Sequence, residues 1–385
     1  VKLKASYGLV GNDQIGGDRR FIYNETVIGG GKYYFGTTPS QYTSVRLGEF
    51  PNPNVGWEKA KKLNLGADLS FFNQLNISVD YFKENREGIF LQRKSIPMYV
   101  GLSTKPWVNI GKMRNSGIDA SLEYHQPLGK DLHLTVRGNF TYARNRIMDQ
   151  DEPDYAYTYM NHSGQMQWQK FGLVAAGLFQ DQEDIDSWAK QSFGEVKPGD
   201  IKYLDLNGDG IVDNYDTKPI GYSDIPEIVY GFGFSLQWKA FDLSAFFQGV
   251  AHVSFSTLTD QTQAFVGRNL KESSVFADLY GNTWAPENPG AKYPRMTTGA
   301  IDNNNQLSTF WMANGRYLRL KNLELGYTLP KRIANKIAMQ SLRVYLSGVN
   351  LFTFSPFKLW DPDLQTGATN YPNNRIINLG LTIGF

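Results

Sequence analysis

The densest array of potential ligands in this 385-residue chain is the run Asp205-Leu-Asn207-Gly-Asp209-Gly210-Ile211-Val-Asp213-Asn-Tyr-Asp216. Side-chain oxygen donors stand at positions 1, 3, 5, 9 and 12 of that run, with glycine at 6. This is the spacing with which a calcium loop wraps a hard cation in oxygen. Gly210 permits the sharp turn that lets Asp205, Asn207 and Asp209 converge, and the Ile211 carbonyl supplies the backbone ligand. Asp213 adds the ninth position. Asp216 closes the loop where an EF-hand has a bidentate glutamate, so its shorter side chain predicts weaker or monodentate coordination. No flanking helices are visible. The expected ion is Ca2+ in a structural role, since Mg2+ demands tighter octahedral geometry. The competing reading is an Asp/Asn/Gly-rich turn without metal.

Nothing else in the sequence points to bond chemistry. His125, His133, His162 and His252 show no paired metal or catalytic spacing, and the chain has no cysteine for disulfides or thiolate metal sites. No serine elbow, phosphate loop or dinucleotide fingerprint is present; Gly231-Phe-Gly233 lies inside a strand pattern with no helix after it. The expectation is therefore that the protein is not an enzyme and has no catalytic residue. A surface protease or lipase would need convergent acid and base residues in its loops. Lys and Arg number 39 against 37 Asp and Glu, so no basic excess argues for nucleic acid. Trp107, Trp168, Trp188, Trp284, Trp311 and Trp360 could stack on sugar rings, but a structural role is favoured, anchoring loops to each other or sitting at the membrane interface.

These residues hang on a repeated pattern. From Arg375 to the end, Ile377, Leu379, Leu381, Ile383 and Phe385 alternate with Asn378, Gly380, Thr382 and Gly384. Such period-2 alternation gives a strand one apolar and one small polar face. The same alternation recurs in Val1–Val10, Leu63–Phe71, Ile77–Tyr81, Ile118–Tyr124, Leu132–Tyr142, Ile228–Trp238, Phe241–Phe247, Leu323–Leu329 and Leu342–Leu346. That makes about ten strands of ~9–12 residues, the length a tilted membrane strand needs. The longest near-apolar run, Phe171–Phe179, is too short for a spanning helix.

The connections sharpen the reading. Asn73–Leu75, Pro127–Lys130 and Lys239–Ala240 are tight turns, and Pro330–Gln340 is a short helical link. Between them lie Gly11–Gly56, Glu87–Lys112, Asn145–Pro226, His252–Thr309 and Leu351–Asn374, all long and polar. Short and long links alternate strictly, as in outer-membrane barrels, where short turns face the periplasm and long loops face outside. The predicted fold is all-β, an antiparallel transmembrane β-barrel with its apolar faces toward lipid. The alternative is a soluble antiparallel protein with decorated loops.

Several stretches together resemble the SusC/RagA family of TonB-dependent outer-membrane transporters. They are Asn52-Pro-Asn-Val-Gly-Trp57-Glu58, Asn109-Ile-Gly-Lys-Met-Arg-Asn-Ser-Gly117 and Gly199-Asp-Ile-Lys-Tyr-Leu-Asp-Leu-Asn-Gly-Asp-Gly210. Asn282-Thr-Trp284-Ala-Pro-Glu-Asn288, Tyr317-Leu-Arg-Leu-Lys-Asn-Leu-Glu-Leu-Gly-Tyr327 and Ser347-Gly-Val-Asn-Leu-Phe-Thr353 follow in the family's order. Phe385 resembles the terminal aromatic by which barrel-assembly machinery recognises its substrates.

The resemblance implies a barrel of 22 strands in the outer membrane of a Gram-negative bacterium. Residues 1–385 would form its C-terminal portion, with the signal peptide, the plug domain and the TonB-contacting segment outside this chain. It also implies a SusD-like surface lipoprotein, energy supplied through TonB, and outer-membrane lipid around the wall. Import of oligosaccharides is the expected function. Peptide import by the same mechanism, or a passive porin or surface adhesin, are the alternatives.

Overall fold

The computed structural model describes every residue except 16–18, 103, 260–261, 263–275, 298 and 338. Ten strands build one sheet: β1 (Lys2–Asn12), β2 (Glu58–Phe71), β3 (Leu75–Gln92), β4 (Trp107–Pro127), β5 (Leu132–Asp149), β6 (Ile228–Trp238), β7 (Phe241–Ala251), β8 (Tyr317–Thr328), β9 (Ser341–Phe354) and β10 (Ile376–Gly384). They lie side by side in chain order. Each is antiparallel to its neighbours, as links between adjacent strands require. Short and long connections alternate along the whole chain, as expected. No helix among the described residues is long and apolar enough to cross a membrane.

Register carries the alternation from strand to strand. Leu379 faces Leu346, Leu346 faces Leu325, Leu325 faces Leu243, Leu243 faces Leu236 and Leu236 faces Leu134. Because side chains repeat every two residues, this register puts all ten apolar sets on one side of the sheet. That side is open: Leu379 is 77 % and Leu381 64 % exposed, with no second sheet over them. A water-soluble sandwich would bury these residues; a lipid-facing wall leaves them bare to the solvent it was made for. Toward the short-turn end of the same face, Trp238, Phe241 and Tyr327 form a row of touching rings, the position of an interfacial aromatic girdle.

The opposite face is polar and small. Gly380 stands directly across from Tyr345, and a Cβ on Gly380 would run into that ring. Gly231 and Gly233 likewise make room for Phe246. These glycines are the spaces into which this face tucks aromatic rings.

Two corrections concern lengths. The strands run from 9 residues in β10 to 21 in β4, beyond the ~9–12 expected. The two ends of the segment Glu87–Lys112, read as loop, are the paired upper ends of β3 and β4, which run to Gln92 and from Trp107. Beyond the lipid both faces of a strand meet water, so hydrogen-bonded pairing continues there without an apolar stripe to mark it. Trp107 accordingly sits in β4 and stacks on Phe90 at 5.4 Å rather than in a loop.

The long connections are folded rather than merely polar. Five two-stranded pairings occur among their described residues. Among the described residues, the largest buried apolar cluster lies there, not in the sheet. Leu173, Leu178, Ile201, Tyr203 and Val212 come from the β5–β6 connection, and Leu279, Tyr293 and Trp311 from the β7–β8 connection.

Candidate functional site

Two regions carry polar chemistry: the inner face of the sheet and the folded connections at one end of it. On the inner face, ion pairs occur along the strands, with Lys62, Glu84, Arg86 and Glu58 linked toward the long connections and further pairs nearer the short turns. Lys4 reaches Asp68 at 2.7 Å and Asp80 at 3.2 Å, Arg137 reaches Glu123 at 2.9 Å, and Arg343 bridges Asp242 and Glu324. These pairs are partly exposed, so solvent screens them and they add little to stability. Their effect is to coat the wall with fixed, mostly balanced charge. His133 stands on this face across from Gln237.

At the other end, a buried polar network locks the two largest connections together. The Asp200 carboxylate is fully buried and lies 2.9 Å from Arg295 Nε. It also accepts from Asn304 Nδ2 at 2.9 Å, while Asn304 Oδ1 accepts the Ile201 amide at 2.8 Å. Asn303 donates to the Ile201 carbonyl, and Tyr203 donates to the Asn303 carbonyl. Burial pushes the Tyr203 phenol well above its ordinary pKa, so it remains a donor. Sequence reasoning missed Arg295, Asn303 and Asn304. Their partners lie about a hundred residues away, and no spacing rule connects them.

The segments that carried the family resemblance meet one another as latches. Asn52 donates to the Trp107 carbonyl, and Asn109 bonds both the amide and the carbonyl of Gly56. The Trp284 indole lies over Gly199, where a Cβ would collide with it. Arg319, only 2 % exposed, is held by Asp361 and Asp363 of the last connection, and Tyr317 donates to Asp363 at 2.9 Å. Four of the other tryptophans take the anchoring role: Trp188, Trp311 and Trp360 each donate to a backbone carbonyl, and Trp107 carries Arg19 over its ring at 4.2 Å. Trp168 differs, being 58 % exposed.

The twelve-residue loop Asp205–Asp216 is closed by its own amides. Asp205 accepts from Gly208 at 2.7 Å and Gly210 at 2.8 Å; both glycines have positive φ, 78° and 85°. Asn207 accepts the Asp209 amide, Asp209 accepts the Ile211 amide, and Asp213 caps Tyr215. Asp216 is fully buried and accepts from Leu206, Asn207 and Asp213, drawing the end of the loop onto its beginning. Among the described residues no three His, Asp or Glu side chains are already gathered as a metal cage. A loop of this kind also draws on Asn207 and the Ile211 carbonyl.

An antiparallel sheet with an apolar outer face, a polar inner face, tight turns at one end and long connections at the other defines the wall of a transmembrane β-barrel. The chain belongs to the TonB-dependent receptor-like β-barrel family, whose model matches residues 16–351. It is 30 % identical to TonB-dependent receptor P3 of Formosa agariphila, over all of this chain and 39 % of that protein. It is 26 % identical to the TonB-dependent receptor SusC of Bacteroides thetaiotaomicron, over all of this chain and 37 % of that one. Among solved structures it is similar to the RagAB peptide transporter, with a TM-score of 0.70 and 24 % identity over all of this chain and 40 % of the other. The chain thus spans about two fifths of the length of the relatives it matches. The family comprises outer-membrane transport proteins of Gram-negative bacteria rather than enzymes.

Proposed function

We propose that this chain is part of the wall of a TonB-dependent importer of SusC/RagA type in the outer membrane of a Gram-negative bacterium. The remaining polypeptide would supply the plug and the TonB-contacting segment and complete a wall of 22 strands. A SusD-like lipoprotein would cover the long-loop end, and the cargo is an oligosaccharide. The carrying observation is the pairing of a lipid-type outer face with two long connections folded into one buried core at a single end. Exposed rings at that end, Trp168, Tyr215 and Tyr371, offer flat faces for pyranose stacking. Peptide import is the second reading, favoured by the likeness to the RagAB peptide transporter. The test deletes the gene and follows uptake of labelled oligosaccharides and labelled peptides, with and without a protonophore. Loss of energised oligosaccharide uptake is expected. Loss confined to peptides moves the reading to the second cargo, and uptake that ignores the protonophore indicates a passive porin. No change in either uptake overturns both import readings and leaves an adhesin.

The loop Asp205–Asp216 is proposed to bind Ca2+ as a structural ion. Its support is the spacing of its oxygens and a backbone that already brings positions 1 and 12 together. The Asp205 carboxylate spends two bonds on amides, leaving about two of its roughly four lone-pair sites for a cation.

A further inference from the structure

The outer face of the sheet changes character where its apolar band ends toward the long loops. The last apolar outward residues are Leu63 on β2, Tyr81 on β3, Ile118 on β4 and Tyr142 on β5. On each of these strands the next two outward positions follow by twos. Lys61 and Lys59 continue β2, Lys83 and Asn85 continue β3, Ser116 and Arg114 continue β4, and Arg144 and Arg146 continue β5. No acid stands among them. Arg144 is taken by Glu227 and Lys61 by Glu87, one step further out. Lys59, Lys83, Arg114 and Arg146 form no ion pair with a carboxylate among the described residues.

Register makes this collar unusual. Lys61 faces Asn85, Asn85 faces Arg114, and Arg114 faces Arg146 directly across β4 and β5. Like charges opposed on one face of an antiparallel pair repel. Asn85 accepts from Arg114 at 3.2 Å and Arg146 donates to the Gly164 carbonyl, but neither bond removes charge. Four strands at a spacing of about 4.8 Å make a row about 14 Å wide. It is fixed at the edge of a lipid-facing surface, where bilayer headgroups lie.

We propose that this collar is a binding site for the phosphorylated head of an outer-leaflet glycolipid. The phosphate sits at the opposed pair Arg114 and Arg146, Lys61 and Lys83 flank it, and the acyl chains lie down the band below Leu63, Tyr81 and Ile118. A phosphate between two guanidinium groups replaces their repulsion with charge-assisted hydrogen bonds. Basic clusters at the membrane boundary attract anionic lipid in this manner. The inference rests on the long loops facing outside.

The experiment uses the full-length protein in detergent and native mass spectrometry. The probes are a monophosphorylated disaccharide lipid, its dephosphorylated form and phosphatidylglycerol. Lys61→Gln/Lys83→Gln/Arg114→Gln/Arg146→Gln is expected to weaken the phosphorylated lipid at least about tenfold. Lys130→Gln/Lys331→Gln/Arg332→Gln, at the short-turn end, should leave it unchanged. If the quadruple variant loses the heat-resistant gel mobility of a folded barrel, Arg114→Gln/Arg146→Gln replaces it. Undiminished binding by the variant overturns the proposal, as does equal binding of either comparison lipid by the unaltered protein. Tyr371→Cys labelled by an impermeant maleimide on intact cells reports orientation separately. Labelling there leaves the importer reading standing whatever the lipid does, and its absence removes the outer-leaflet assignment and this site with it.

Discussion

Asp200 and Arg295 are 95 residues apart in the chain and joined by an ion pair whose carboxylate has no solvent contact. The pair ties the β5–β6 connection to the β7–β8 connection beside the apolar cluster that holds Ile201 and Tyr293. Removing one member leaves the other's charge buried and uncompensated, which costs about 3 kcal/mol or more. Arg295→Ala should raise hydrogen exchange at the Ile201 and Tyr203 amides by at least about a hundredfold while the β2–β5 amides keep their protection. Equal acceleration throughout would mean the pair supports the whole molecule rather than this unit.

The acidic loop gives a second expectation. Asp205→Ala with Asp209→Ala removes two proposed ligands and the acceptors of the Gly208, Gly210 and Ile211 amides. The intact protein should lose terbium luminescence sensitised by Tyr215 and gain protease sensitivity within residues 145–226, with barrel assembly unimpaired. Proteolysis of the unaltered protein that ignores chelation would leave only an amide-closed turn.

His162 supplies a pH dependence. Its ring stacks on Phe171 with centroids 3.9 Å apart, and burial holds its pKa below the ordinary histidine value against the pull of Glu152. Above about pH 6.5 the ring is neutral in both the closed and the opened connection, and the contact is fully stabilising. As pH falls from there the opened form takes a proton first, so stability is lost until the pH passes the depressed folded value. Exchange of the amides in residues 158–171, corrected for intrinsic rate, should rise between pH 7.5 and 5.5. In His162→Gln that rise should vanish.

Gly380 gives a steric test. Gly380→Ala should slow barrel folding and lower the yield of heat-resistant protein, because the methyl and the Tyr345 ring compete for one space. Tyr345→Ala in the same chain should restore the yield. A double variant as poor as the single one would place the fault in the strand backbone instead.

The wall was legible because lipid imposes a strict rule. Every second residue from Ile377 to Ile383 must be apolar, and the same holds on nine other strands, so period alone finds them. The rule lapses above the bilayer, and the outer ends of β3, β4 and β5 were hidden for that reason. It is absent from the connections. Asp200 finds Arg295 and Asn304 through a fold that only the assembled loops create. Asp216 was legible as an oxygen donor at position 12. Its burial, and the three amides it gathers, depend on the turn between Asp213 and Tyr215 and were not.

The position of the apolar core has a consequence for how this protein tolerates sequence change. Leu379 or Leu325 answers only to lipid, which accepts any apolar shape, so exchanges among Leu, Ile, Val and Phe across the wall should pass with little effect. Trp311, Tyr203 and Ile201 fill a cavity of fixed shape outside the bilayer, where one methylene too many or too few is felt. Volume is therefore policed in the loops and polarity in the strands, the reverse of a water-soluble β-protein. A library that randomises the wall within apolar residues should yield mostly folded clones, whereas the same library applied to the loop core should yield few.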